Sequence, residues 1–461
     1  MMAEIVHGRK SLATNPLKSS APLGASLAYL GMAGSVPLLH GSQGCTSFAL
    51  TLAVRHFKEA IPLQTTAMDE IATILGGPDN LEEALLNLVT RMKPSFIGIA
   101  STALVETRGE DIAGALKMIL AARAELASTR IVYASTPDYD GALEDGWSKA
   151  VSAIVETLVE PTHGGGFGAP FVNLLPGVHQ TAADIEDLVE LIESFGLGVV
   201  VLPDVSGSLD GIVPDSYAPT SLGGTTIAQA ARMGRALHSI AIGEHMRKPM
   251  EILRDRFEVP GTLFPTLLGL EPNDRLTALL SRLSGKPAPR RLRRQRSQLV
   301  DAMLDGHFYF GGHKVAIAAD PDLLYGLSMF FAGMGAELVT AIASTDHSPM
   351  LARVSAKRVV VGDLGDFEEL AGEAKAELLV TNAHGRQAAE RLGLPHLRVG
   401  FPIFDRLGTA HRRLVGYRGT RDLIFEVANI ALANQHHNTP GDFAHIAEEE
   451  ARHALVVAAA H

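Results

Sequence analysis

Short, continuously apolar runs alternate along this chain with longer stretches in which apolar residues recur at helical spacing. Phe96–Ala100, Arg130–Ala134, Phe171–Leu175, Gly198–Leu202, Leu237–Ile242, Lys314–Ala319, Glu337–Ile342, Arg358–Val361 and Glu377–Thr381 read as strands. Leu81–Met92, Asp111–Ala127, Trp147–Leu158, Asp184–Phe195, Ile227–Gly234, Leu323–Met334 and Arg421–Asn434 read as helices. Strands alternating with helices of this length predict βαβ units and parallel sheets. The strand residues are apolar throughout rather than at every second position, as expected when helices cover both faces of a sheet.

At 461 residues, the length suggests about three domains. Pro161–Pro170, with Gly164, Gly165 and Gly166, reads as a linker. The basic, proline-containing stretch Lys286–Arg296 precedes a third block. The expected fold class is α/β: three Rossmann-like domains, each a mostly parallel sheet covered by helices. They are expected over residues 1–165, 166–295 and 296–461, the last with a closing helix.

Forty Lys and Arg against 51 Asp and Glu give a net charge of −11, which argues against a nucleic-acid partner. The run Arg290, Arg291, Arg293, Arg294 and Arg296 reads as a solvated helix face, with a docking patch as the alternative. The segment Met1–Lys18 lacks the apolar core of a secretory signal, and no run is long enough to span a membrane. A soluble cytoplasmic protein with no membrane contact is expected. The sequence holds no GxxxxGK[ST] phosphate loop, no GxGxxG after its first predicted strand, no HExxH and no GxSxG. The pairs Asp346–His347 and His436–His437 read as surface or turn residues.

The chain has one cysteine, Cys45. One thiol excludes an internal disulfide framework and any self-contained four-cysteine zinc or iron–sulfur site. Cys45 lies in His40-Gly41-Ser42-Gln43-Gly44-Cys45-Thr46-Ser47-Phe48, and Phe48, Leu52, Arg55 and His56 follow at helical spacing. The thiol is therefore expected at a glycine-rich turn opening a helix, where free backbone N–H groups favour a thiolate. Gly41 and Gly44 would let the backbone approach a bulky anionic ligand such as an iron–sulfur cluster. The plainer alternative is a buried cysteine acting as a small apolar side chain. A cubane cluster takes four ligands, so three would have to come from another chain. His40 reads as a core or capping residue rather than a donor to a cluster.

Asn15-Pro16-Leu17-Lys18, Pro22-Leu23-Gly24-Ala25 and His40–Cys45 together resemble the nitrogenase component 1 family, its β-like branch best. Arg55-His56-Phe57, Gly76-Gly77, Ser101-Thr102, Gly109–Asp111, Gly312-His313-Lys314, Asp320-Pro321-Asp322 and Gly400–Gly408 extend the resemblance over most of the chain. The family's catalytic β chains place two further cysteines where this sequence has Ser20 and Leu104. Leucine cannot ligate iron, and a serine oxygen is a poor substitute for thiolate. The resemblance therefore implies a cofactor-maturation scaffold rather than a full P-cluster protein. It implies an α2β2 heterotetramer with a NifE-like chain and a [4Fe–4S] cluster at each interface, relaying electrons and held by Cys45 plus three partner cysteines. It further implies an iron–molybdenum cofactor precursor held mainly by that partner, with transient docking of the nitrogenase Fe protein and cofactor-assembly proteins. The competing readings are a divergent catalytic β subunit, a tetrapyrrole-reductase subunit, and a metal-free α/β binding protein.

Overall fold

The computed structural model describes residues 2–8, 10, 13–69, 78–161, 169–209 and 213–435. Gly76-Gly77, the triple-glycine stretch of the expected linker, and His436–His437 lie outside the described residues. The first strand, β1 (Glu4–His7), is followed by helix α1 (Ala21–Leu30) and strand β2 (Ser35–His40). Next come α2 (Gln43–Phe57), β3 (Gln64–Thr65), β4 (Phe96–Ser101), α3 (Ala103–Thr107), β5 (Arg130–Ala134) and α4 (Leu143–Leu158). The middle block holds β6 (Phe171–Leu175), α5 (Ala182–Glu193), β7 (Gly198–Val201), β8 (Ser239–Ile242) and β9 (Gly261–Phe264). The last block opens on α6 (Arg290–Phe310), then β10 (Lys314–Ala319), α7 (Pro321–Gly333), β11 (Glu337–Ala343) and β12 (Arg358–Val361). It closes with β13 (Leu378–Thr381), β14 (His396–Arg398) and α8 (Gly416–Gln435).

The strands form three sheets in the orders β3-β2-β4-β5, β7-β6-β8-β9 and β1-β12-β11-β10-β13-β14. Every pairing within them is parallel. The α/β architecture is as expected, and most strands fall where continuous apolar runs placed them. β1, β2, β3, β9 and β14 fall outside the predicted strands. β1 pairs with β12, Glu4 opposite Arg358, so it lies in the third sheet. Its residues are mostly exposed, so no apolar run marks it. The helix expected over Asp111–Ala127 breaks at Arg123, whose backbone is extended (φ −114, ψ 95), leaving a helix to Ala122 and a 3-10 turn at Ala124–Ser128.

The arginine run is the exposed opening of α6, with Leu292 and Leu299 turned inward. Arg291 reaches Glu190 and Arg296 is bidentate to Asp274. All ten residues of α1 are buried, as fits a helix that is apolar all round. It crosses α4 at backbone contact: a side chain at Gly24 would collide with the Leu143 carbonyl, and one at Gly146 with the Ala21 carbonyl. None of the described helices is long and apolar enough to cross a membrane.

Candidate functional site

Helices that follow parallel strands start at the carboxyl edge of the sheet, and that edge is where ligands bind in such folds. In the first sheet His40 ends β2 directly opposite Ser101 ending β4. The Thr102 N–H donates to the His40 carbonyl (3.1 Å), so the turns into α2 and α3 lie side by side. Cys45 is the third residue of α2 and Leu104 the second of α3. Ser20 is the N-cap of α1, with no side-chain capping bond. Three helix starts thus share one edge, and one of them carries a thiol.

Cys45 is exposed, which overturns the reading of a buried apolar cysteine. Its sulfur lies 3.4 Å from Ser42 Oγ, and Ser42 is the N-cap of α2 without a side-chain bond to the helix backbone. The first-turn N–H groups of such a helix have no intrahelical acceptor and carry the positive end of its dipole. A Cβ on Gly44 would meet nothing within 4 Å, so the space beside the thiol is open. Gly41 has a different setting. It is buried, and a Cβ there would collide with Thr102 Oγ1. Its lack of a side chain serves the contact between two turns. Phe48, one turn beyond the thiol, is 75% exposed.

His40 is a core residue. Its Nδ1 lies 3.0 Å from Thr66 Oγ1, and burial pushes its pKa down to about 4, with Arg108 adding to the shift and the Glu106 charge opposing it. Glu106, on α3, accepts hydrogen bonds from Ser101, Ser135 (2.7 Å) and Tyr133 (2.9 Å). Burial opposes its ionisation, but these hydroxyls hold its carboxyl below the ordinary value.

A second constellation lies where the three blocks meet, and no local pattern foretold it. Glu144 comes from α4, His179 from a turn and His245 from the 3-10 turn Glu244–Met246 of the middle block, and Asp320 and Asp322 from the start of α7. His179 Nε2 lies 2.9 Å from Glu144 Oε1 and 3.6 Å from Asp320 Oδ2. His245 Nδ1 lies 2.6 Å from Asp322 Oδ2, and the Asp322 N–H donates to Glu144 Oε1 (3.0 Å). Burial, then the Asp322 charge, raises the Glu144 carboxyl well above its ordinary value. Glycine makes room for the His245 ring: Gly243 adopts φ +91, and a Cβ on Gly177 would approach His245 Cε1 to 2.7 Å. Of these five residues the sequence had offered only Asp320 and Asp322, as part of a motif rather than as chemistry.

Three parallel sheets covered by helices define an α/β protein of the three-sheet class, and the family match is specific. Residues 20–432 match the nitrogenase component 1 type oxidoreductase family, and the chain belongs to it. It is 57% identical over 441 residues to the nitrogenase iron-molybdenum cofactor biosynthesis protein NifN of Mesorhizobium japonicum, covering 95% of each chain. It is 39% identical to the NifN of Klebsiella pneumoniae, again covering 95% of each. Among solved structures, a chain of nitrogenase Cp1 at pH 6.5 superposes with a TM-score of 0.89 at 30% identity, covering 95% of this chain and 97% of that one.

Proposed function

We propose that this chain is the β-like scaffold subunit in nitrogenase iron–molybdenum cofactor biosynthesis. It assembles with a NifE-like chain into an α2β2 heterotetramer in the cytoplasm. Cys45 supplies one of the four ligands of a [4Fe–4S] cluster at their interface. The observation that carries this reading is the exposed thiol of Cys45 in the first turn of α2, beside helix starts that offer only Ser20 and Leu104.

The donor set fits a shared cluster and not a self-contained one, because no second cysteine exists in the chain. Open space at Gly44 and the unpaired N–H groups of the α2 start suit an anionic cluster. When bound, such a cluster supplies one-electron transfer. The chain's own residues hold the thiolate at a fixed position, and the Ser42 hydroxyl, 3.4 Å away, donates to the sulfur once its proton is lost. Gly41 keeps the turn seated on Thr102, which fixes the direction of α2. The cofactor precursor is held mainly by the NifE-like partner, and the nitrogenase Fe protein and cofactor-assembly proteins dock transiently. Leu104 weighs against a catalytic β subunit, whose larger P-cluster needs more than one thiolate from this side.

The test is anaerobic co-purification with the NifE-like chain, followed by iron analysis and EPR of the dithionite-reduced complex. Cys45→Ala is expected to lose the interface-cluster signal while its circular dichroism stays unchanged. An undiminished signal in the variant overturns the proposal.

A further inference from the structure

The buried constellation between the three blocks lies outside the Cys45 site and takes no part in the function proposed above. Three carboxylates, Glu144, Asp320 and Asp322, are almost wholly enclosed, with side-chain exposures of 6%, 8% and 4%. Among the described residues each has only histidine as its ion-pair partner. Three enclosed carboxyl groups opposite two imidazoles cannot all stay ionised without a further balancing charge, because burying an uncompensated charge is costly. Protons can balance it, and so can a cation.

The geometry favours the cation. One donor atom each from Glu144, His245 and Asp322 lie within 4.8 Å of one another. They come from all three blocks, so they converge only in the folded chain. His245 and Asp322 also border a cavity of about 40 Å³ whose other walls include His179, Gln180 and Thr266. That is room for about three waters at ~10–15 Å³ each. In its wall, the Nδ1 of His179 and the Oε1 of Gln180 are buried without a hydrogen-bond partner, which points to an unfilled polar ligand shell. His179 is itself only 6% exposed at its side chain.

We propose that Glu144, His245 and Asp322 bind one divalent first-row transition-metal ion, with water completing the shell on the cavity side. Two carboxylates and an imidazole suit zinc, manganese or ferrous iron better than magnesium or calcium, which prefer oxygen alone. The ion takes the place of the proton on His245 Nδ1, facing Asp322 Oδ2; that proton moves to Nε2, which turns from acceptor of the Val178 N–H (3.2 Å) into a donor. His179 and Asp320 then act through hydrogen bonds to Glu144 and to bound water, orienting the ligands. The ion would join α4, the His245 turn and α7, a clamp on the relative placement of the three sheets.

The probe is zinc, which is distinguishable from the iron of any cluster. The full chain, stripped with a chelator and re-equilibrated with zinc, is desalted and its metal measured by mass spectrometry, with thermal unfolding in parallel. One zinc per chain and a raised midpoint are expected in the wild type and equally in Cys45→Ala. Asp322→Asn and the milder Glu144→Gln, which keeps an acceptor for the Asp322 N–H, are each expected to weaken binding more than about tenfold. A wild type that retains no zinc overturns the site, leaving protons as the balancing charge. So does zinc retained undiminished in both variants. Loss of zinc in Cys45→Ala would overturn it as well, by moving the metal to the thiol.

Discussion

Gly41 and Gly44 flank the same turn yet answer to different demands. Gly41 touches Thr102 across the gap between two turns, whereas Gly44 faces open space beside the thiol. Gly41→Ala is therefore expected to cost about 1–3 kcal/mol through overpacking. Gly44→Ala is expected to leave stability unchanged or raise it by up to ~1 kcal/mol, since alanine is the better helix former. Urea unfolding of both variants checks this, and equal losses would refute the distinction. The sequence displayed the turn, the helix start and the lone thiol. It could not separate the two glycines, because the contact that does so comes from Thr102, in the turn between β4 and α3. The same limit hid the Glu144, His179 and His245 constellation: each residue is ordinary in its own segment, and only the packing of three blocks makes them neighbours.

At the level of elements, α2 links two parts of the fold. It carries Cys45 in its first turn and His56 in its last, and the His56 Nδ1 accepts the Ile403 N–H (2.8 Å) from the segment after β14. Burial pushes the pKa of His56 down to about 4 from 6.5. The folded state thus holds a neutral ring where the unfolded chain would protonate it. Between pH 6.5 and 4 the unfolded state binds more protons, so this contribution is present above the unfolded value and is lost as pH falls. A shift of that size corresponds to roughly 3 kcal/mol at the acid end. The expected outcome is a thermal midpoint that drops on acidification through this window, and drops less in His56→Asn, which keeps an acceptor but does not titrate. His40 and His396, likewise pushed down to about 4, act in the same direction. Elements were the most legible level of this fold. Arg130–Ala134, Phe171–Leu175 and Lys314–Ala319 are strands at the residues where continuous apolar runs placed them. β1 was not legible, because an exposed edge strand has no burial to impose a pattern.

Across the whole molecule, a few buried polar groups join the sheets that the apolar core only packs together. Asp184, fully enclosed on α5, accepts the N–H groups of Leu414 (2.7 Å) and Val415 (3.0 Å) ahead of α8. Asp184→Ala would leave those donors buried and unpaired, at about 1–3 kcal/mol each. A clearly lowered thermal midpoint with unchanged secondary structure is the expected reading, and an unchanged midpoint would count against this joint. Asp363 makes a similar connection at the other end, accepting the N–H groups of Thr14 (2.8 Å) and Asn15 (3.4 Å) and so fixing the segment that leads out of β1. The pairing of β1 with β12 sets an order on synthesis. Glu4–His7 leaves the ribosome well ahead of its partner Arg358–Val361, which follows roughly 350 residues later. At about 5–20 residues per second, that is a wait of some 20–70 s. For that interval β1 is unpaired, and the sheet edge it will cover has yet to be made. A strand made early is thus among the last to find its place.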